Sequence, residues 1–500
     1  MSIAVLWDRM RISRIGLSTN SWCASKLSIK RREESVQKKG TQRSAINAAA
    51  QARDLRWLVD VVVIVVQLLS AVAIGMQLLE IGSEQGAWIY PYKWPLPVWA
   101  IPLGLTALLA SALLPSTIRT IEKKQGLAFE VSLVVGTVVV GTLIALMFRW
   151  LYPHAIADII SSDVANGFFT ASRRVEAGAL LRDFEATVRL LPRHVQSNLP
   201  GKVLFFHVLG LVSVNPTFLG FAIVFCANVS AAIVYTIARL LRADIATAWL
   251  ASLFAVMTPA NILFQPILNT VSPLPILLAL ALFIGALTRW PQQWGLIAGA
   301  VLFLTLLFDP LTFALGTIFV ALLWWRVRDG HDVRQVVTLA VLTFAGFAVT
   351  AIATKALFGF DVVKEVRFAG ADAVSFNQVA NRPYSVWVFA NILEYAIGAG
   401  VASTSLLVLM FVRQWKWVTS TESLIGAIAI GWVVAILVLD GLGVNRGEVT
   451  RLWIFLTSIQ GLLAAYACRR WGSRWTPSVV LGGMLLQVSL TIGTVSFVNP

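Results

Sequence analysis

Charge is scarce in this chain. Asp, Glu, Lys and Arg together make up 13% of its 500 residues, about half of the roughly 25% found in ordinary globular proteins. So little polar surface cannot cover a water-soluble core of that size, and it excludes a disordered or coiled-coil chain as well. Cysteine is nearly absent, with only Cys23, Cys226 and Cys468. None has a pairing partner or a metal-ligand spacing, so neither a disulfide framework nor a zinc site is expected. His154, His194 and His207 likewise lack the short spacing of a metal centre. Acidic residues number 25 against 40 basic ones, a net charge of +15. That surplus does not indicate nucleic acid. Residues 1–56 hold 12 Lys/Arg and four Asp/Glu, so 12 − 4 = 8 of the 15 excess charges sit in one tail. Most of the others fall in short connections between apolar segments, where basic residues set membrane orientation.

What the chain has in abundance is apolar sequence: 58% hydrophobic residues and a mean hydropathy of +0.77. Scanning for runs of about 20 apolar residues predicts an all-α, polytopic membrane protein. Its thirteen spans fall at 57–79, 94–115, 131–151, 217–240, 244–263, 271–289, 292–308, 311–326, 334–357, 386–412, 422–441, 451–468 and 478–498. Residues 1–56 read as a basic cytosolic tail, without the apolar run of a cleaved signal peptide. With the N-terminus in the cytosol, the inner connections carry Arg119, Lys123 and Lys124, then Arg239 and Arg242, Arg289, Arg326, Arg328 and Arg334, Arg413 and Lys416, and finally Arg469, Arg470 and Arg474. The short turns at 264–270 and 309–310 carry none and point outward. The same count places 152–200, 358–385 and 442–450 outside. This pattern fits a bacterial inner membrane.

Three outer segments carry the chemistry. In 152–200, Leu180, Phe184, Val188 and Leu191 share one face of an expected interfacial helix. Arg173, Arg174, Arg182, Arg189 and Arg193 surround it. Asp163 opens this stretch as either a helix cap or a catalytic carboxylate. It closes on Asn198-Leu199-Pro200-Gly201-Lys202, with His194 as a headgroup-level donor. The segment 358–385 lacks clear periodicity and suits a lid over a cavity, ending near Arg382. Arg446, Glu448 and Arg451 flank the last outer turn, where they either bind an anion or pair with one another. Asn391 and Glu394, spaced i,i+3 inside a span, are costly there and face a cavity or a partner. Asp440 is a secondary candidate, and Asp309 reads as the cap of the following helix. Gly295-x-x-x-Gly299 allows close helix packing.

Asp163 after a span, an amphipathic stretch, and then Pro200-Gly201 opening the next apolar segment resemble the GT-C superfamily of membrane glycosyltransferases, of the protein O-mannosyltransferase and lipid A aminoarabinose transferase type. Further pieces look alike: Met257-Thr258-Pro259-Ala260-Asn261-Ile262-Leu263-Phe264, Trp387-Val388-Phe389-Ala390-Asn391, and Arg446-Gly447-Glu448-Val449-Thr450-Arg451-Leu452-Trp453. The resemblance covers roughly 131–468, with outer loops 152–200 and 358–385. It leaves two extra spans in 57–130 and a C-terminal span in 469–500. Two departures stand out. Asn198-Leu199 replaces the usual His-Pro, and Asn269 stands where many relatives carry an acidic residue.

The resemblance implies a polyprenyl-phosphate sugar donor and a hydroxyl acceptor on a glycan, lipid or protein. It also implies inversion at the anomeric carbon, with Asp163 as general base. Arg446 and Arg451, with Lys202 and Arg382 as weaker candidates, would hold the leaving phosphate, since guanidinium presents a planar fork to phosphate oxygens. Asn391, Glu394 and Glu448 complete the expected binding set, among membrane lipids and with no nucleic acid. No cofactor is called for, and a divalent metal stays open. The competing readings are a transporter or lipid flippase using Glu394 and Lys355 along a pathway, and a non-catalytic envelope protein.

Overall fold

A computed structural model describes residues 56–418, 424–498 and 500. The basic tail with Cys23 lies outside the described residues. The chain divides into Met1–Leu58 and Val59–Pro500, and the architecture below is that of the second unit.

Eight helices among the described residues are long and apolar enough to cross a membrane, so this is an integral membrane protein. Two further helices, Tyr384–Ala399 and Val401–Trp415, are long and apolar enough only when taken together, and they are bent by 112°. Gly201–Gly210, Ile245–Val256, Trp294–Phe308 and Thr476–Thr491 are shorter apolar helices. Each of the thirteen expected segments holds a helix, but four hold one that is shorter or more polar than a full crossing. The segment at 244–263 is one of these. Helix Ile245–Val256 stops at Met257, and Pro259 starts a second helix, Pro259–Phe264, because proline supplies no N–H to continue the first.

Helix starts follow local chemistry. The Asn215 side chain accepts from the backbone N–H of Thr217 at 2.9 Å, with Pro216 in the first helical position of Pro216–Leu240. Asp244 caps Ile245–Val256 in the same way.

Packing sorts the helices into two shells. Nearly all of Leu268–Thr288 is buried, and Ile454–Trp471 and Thr476–Thr491 are inside along nearly their whole length. Val333–Phe358 buries few of its residues and exposes Val341, Phe344, Val349 and Ile352. Such a face would be ruinous in water and is ordinary in lipid. The tightest helix pair is Trp294–Phe308 on Val333–Phe358. A Cβ on Gly299 would meet the Thr343 carbonyl oxygen at 1.9 Å, so glycine is what lets the two backbones touch.

The expected single span at 386–412 is instead broken at Gly400, whose φ of +96° ends the first helix. The break frees backbone groups that lipid cannot satisfy. Gln487 satisfies them: its Nε2 donates to the Ile397 carbonyl at 2.7 Å, and its Oε1 accepts from the Val401 N–H at 3.0 Å.

Two loop expectations are corrected. The interfacial helix is divided at Asp183 into Ala177–Arg182 and Phe184–Val188. Leu180, Phe184, Val188 and Leu191 nevertheless all point inward and are buried, so the apolar stripe packs on protein. The segment 358–385 is a helix over Val362–Val379. Gly359, left-handed at φ +77°, ends the preceding helix, and Asp361 caps the new one by accepting from Val363 and Lys364 N–H. An antiparallel hairpin, Gly82–Ser83 with Trp88–Ile89, lies between the first two spans.

Candidate functional site

Two elements meet head-on to start the site. The turn after Trp294–Phe308 carries Asp309, and helix Gly201–Gly210 begins beside it. A Cβ on Gly201 would lie 2.5 Å from the backbone of Leu307 and Phe308, so the Pro200-Gly201 element needs glycine to seat against that turn. The seating brings Lys202 to Asp309. The buried ammonium stands 3.6 Å from Asp309 Oδ2, 3.2 Å from Asn198 Oδ1 and over the Phe168 ring. Asp309 also caps the following 3-10 turn, as expected, by accepting from the Leu311 N–H at 3.2 Å, and it accepts from the Ser272 hydroxyl at 2.6 Å.

Opposite this wall stands the turn 443–452. Asn391 donates to Asp440 Oδ1 at 3.0 Å and to the Asn445 carbonyl at 2.9 Å, and its own carbonyl accepts from the Gly447 N–H. Glu394 accepts from the Val449 N–H at 2.8 Å. These two residues therefore hold the turn from behind. Glu448 follows at φ +62°, a conformation costly for a side-chain-bearing residue. Its carboxylate is shared between Arg382, at 3.0 Å, and Arg451. Burial would raise this carboxyl, but Arg451 and Arg382 overcome it and hold it down at about 2. Arg382 in turn donates to the Arg446 carbonyl, and Arg446 to the Arg382 carbonyl, at 2.7 and 2.8 Å. Arg446 has no carboxylate partner among the described residues; it donates to the Gly443 carbonyl and lies over the Tyr384 ring.

Between the two walls is a cavity of about 400 Å³. Lys202, Arg382, Arg446, Glu448 and Arg451 line it, all expected from sequence, together with Arg193, His194, Asn198, Asn269 and Asp309. Arg193 pairs with Asp372 at 3.1 Å. His194 is held down to about 4 by burial and by the charge of Arg451, so its ring is neutral at pH 7. Five cationic residues against two carboxylates leave 5 − 2 = +3 on the lining.

Asn391 and Glu394 stand behind the lining, and Asp163 is outside it. Ser162, not Asp163, caps helix Asp163–Arg174 by accepting from Val164 and Ala165 N–H. The half-exposed Asp163 carboxylate takes a hydrogen bond from Thr170 and pairs with Arg174 at 2.8 Å. Those contacts, Thr170 first, keep it below the usual carboxylate range. The cavity is reached one residue on, where the backbone of Val164 bonds to His194. Lys355, at the far end of its helix, is exposed and paired with Asp361 at 2.8 Å.

The hairpin contributes what the sequence did not signal. Trp88 packs under the Arg382 guanidinium at 4.9 Å, and Trp387 donates to the Gly86 carbonyl at 3.0 Å. The Tyr90 hydroxyl, beside Glu394 and Arg451, is buried without a hydrogen-bond partner among the described residues; burial and the Glu394 charge push it well up and keep it protonated. The tryptophan and tyrosine of 88–90 were the only available hint.

A second hollow of about 370 Å³ adjoins the cavity. It is a groove between helices Pro273–Thr288, Trp294–Phe308, Leu315–Arg328 and Val333–Phe358, lined by Phe283, Leu302, Phe319, Leu323, Phe344 and Phe347. Leu306 and Phe313 line both hollows, so an apolar groove among the helices runs up to a cationic chamber. Among the described residues, no group of three or more His, Cys, Asp and Glu side chains is placed to hold a metal ion. A scan against protein-family models finds no match to this chain, and a search of curated proteins finds none either.

Proposed function

We propose that this protein is a membrane glycosyltransferase that moves a sugar from a polyprenyl phosphate to a hydroxyl acceptor, with inversion at the anomeric carbon. The observation that carries the reading is the junction of the two hollows. A polyprenyl-phosphate sugar is an apolar chain ending in an anion, and the groove and the +3 chamber offer those two environments in that order. The acceptor oxygen attacks the anomeric carbon and the lipid phosphate departs. That leaving group needs positive charge aimed at its oxygens more than it needs a proton. Arg446 and Arg451 supply fixed guanidinium groups, Lys202 and Arg193 stand across the chamber, and Arg382 is locked between Glu448 and Arg446. A carboxylate takes the acceptor proton; Asp163 is the one the sequence favours, although it stands outside the lining. In this reading the chain crosses a bacterial inner membrane thirteen times, with the N-terminus in the cytosol and the chamber on the outer face.

The test is a transfer assay on protein in lipid nanodiscs, with a panel of polyprenyl-phosphate sugars and solubilised envelope extract as acceptor. Release of polyprenyl phosphate from one donor, reduced at least tenfold by Arg446→Gln, is the expected result. No release from any donor would overturn the reading. A transporter is the second reading, favoured by the 112° break, since broken helices form transporter sites. Here Gln487 fills the break, and donor release in detergent, where no gradient exists, separates the two.

A further inference from the structure

We infer that Asp309, rather than Asp163, is the base that takes the proton from the acceptor hydroxyl. This deepens the transferase reading and rests on it. A general base must come within hydrogen-bond reach of the reacting hydroxyl, and two carboxylates line the chamber, Asp309 and Glu448. Glu448 is consumed by two guanidinium groups, and a carboxylate so stabilised is a poor proton acceptor. Asn269, next to it on the wall, carries an amide that accepts no proton at neutral pH. His194 donates through one ring nitrogen to the Val164 backbone and keeps the other as an acceptor, but it does not belong to the Leu306–Phe313 segment at which the two hollows join. Asp163 is tied to Thr170 and Arg174 outside the chamber.

Asp309 differs in three ways. Its single cationic neighbour, the Lys202 ammonium, stands 3.6 Å from Oδ2, beyond a normal hydrogen bond, so no guanidinium is clamped on the carboxylate as two are on Glu448. Its orientation is fixed by the Ser272 hydroxyl at 2.6 Å and the Leu311 N–H at 3.2 Å, groups that steer the carboxylate without neutralising it. Above all, its place in the chain is the junction itself. Leu306 and Phe313, the two residues that line both hollows, flank Asp309 on the same turn. A chain lying in the groove therefore leads its phosphate, and the anomeric carbon bonded to that phosphate, past Asp309. In the step, the acceptor oxygen forms a bond to the anomeric carbon while its proton passes to Asp309. The bond from that carbon to the phosphate oxygen breaks with its electron pair, and polyprenyl phosphate leaves as the anion.

The test compares Asp309→Asn and Asp163→Asn in nanodiscs by three readouts: binding of undecaprenyl phosphate, release of polyprenyl phosphate from the sugar donor that wild type uses, and rescue by sodium azide. Asparagine keeps Oδ1 for the Leu311 N–H and turns its NH2 to the Ser272 hydroxyl, whose oxygen can accept from it, so the turn is kept; Asp309→Ser, which also caps, is the second variant. Azide attacks the anomeric carbon with no proton to lose, so it replaces acceptor and base together. The expected result is a loss of roughly 10²-fold or more in transfer for Asp309→Asn, undecaprenyl phosphate binding within threefold of wild type, and glycosyl azide formed on adding azide. Asp163→Asn should transfer within tenfold of wild type. Transfer by Asp309→Asn within tenfold of wild type would overturn the inference and leave the transferase reading standing. So would a loss that follows binding and that azide does not rescue in either variant. If wild type cleaves no donor, the transferase reading fails and takes this inference with it.

Discussion

Replacing Glu448 by glutamine removes the one negative charge between two buried guanidinium groups. The side chains of Arg382, Glu448 and Arg451 are 5%, 8% and 15% exposed, so solvent screens them little. At the 3.0 Å separation of Arg382 and Glu448, an effective dielectric of ~20 gives about 5 kcal/mol of attraction for that pair alone. Part of this offsets the cost of burying the carboxylate, which glutamine no longer incurs. What persists is two cations facing each other across a neutral amide, and removing one partner of a buried pair costs about 3–5 kcal/mol. Glu448→Gln should therefore destabilise the folded protein by that amount, measured by SDS titration in mixed micelles with tryptophan fluorescence as the probe. Adding Arg382→Met should recover part of the loss, because the second cation is then gone. A cost below about 1 kcal/mol for Glu448→Gln would refute the claim that this carboxylate is what lets Arg382 and Arg451 be buried side by side.

Acidification should destabilise the protein in two windows. His194 is neutral when folded, so as pH falls from 6.5 towards about 4 the unfolded chain takes up a proton that the folded chain refuses. Glu448 follows, its stabilisation present above 4.5 and lost as pH drops towards about 2. Melting of His194→Gln should be flatter than wild type between pH 6.5 and 4 and unchanged above it. Gly201→Val should push helix Gly201–Gly210 off the Leu307–Phe308 backbone and part Lys202 from Asp309. A loss of at least 2 kcal/mol in the same titration is expected, from overpacking. Gln487→Leu leaves the Val401 N–H unpaired and the Ile397 carbonyl with only the Gly400 N–H, and should cost about 1–3 kcal/mol, with Gln487→Glu retaining only the Val401 bond and falling between.

Much of the architecture was legible because lipid imposes one demand, a run of apolar residues, and the runs are in the sequence. The break at Gly400 was not legible. Hydropathy continues straight through it, and the residue that makes the break tolerable, Gln487, is over eighty positions away. The helix Val362–Val379 escaped because it is polar on several faces and shows no clean period, although Gly359 and Asp361 carried its start in plain view. Lys202, Arg382, Arg446, Glu448 and Arg451 were named from sequence and share one chamber, since they gather at outer turns and segment starts, where a phosphate could meet them. Asn391 and Glu394 were noticed because polar groups inside a span are costly, yet they serve the backbone of the turn. Asp309 was read as a cap, and it is one. Its place on the chamber lining beside Lys202 was not legible, because Gly201 seats Lys202 there by a contact between segments about a hundred residues apart.

The central claim is that the chain of a polyprenyl phosphate lies in the groove while its phosphate lies in the chamber. Photo-crosslinking tests it most directly, using an undecaprenyl phosphate with a benzophenone midway along its chain, bound to the protein in nanodiscs and mapped by peptide mass spectrometry. Labels on the groove helices Trp294–Phe308, Leu315–Arg328 and Val333–Phe358, lost on competition with unmodified undecaprenyl phosphate and weakened by Arg446→Gln, are the predicted result. Labels confined to the outer helices Arg56–Gly75 and Ala100–Glu122, unaffected by competitor, would contradict the account.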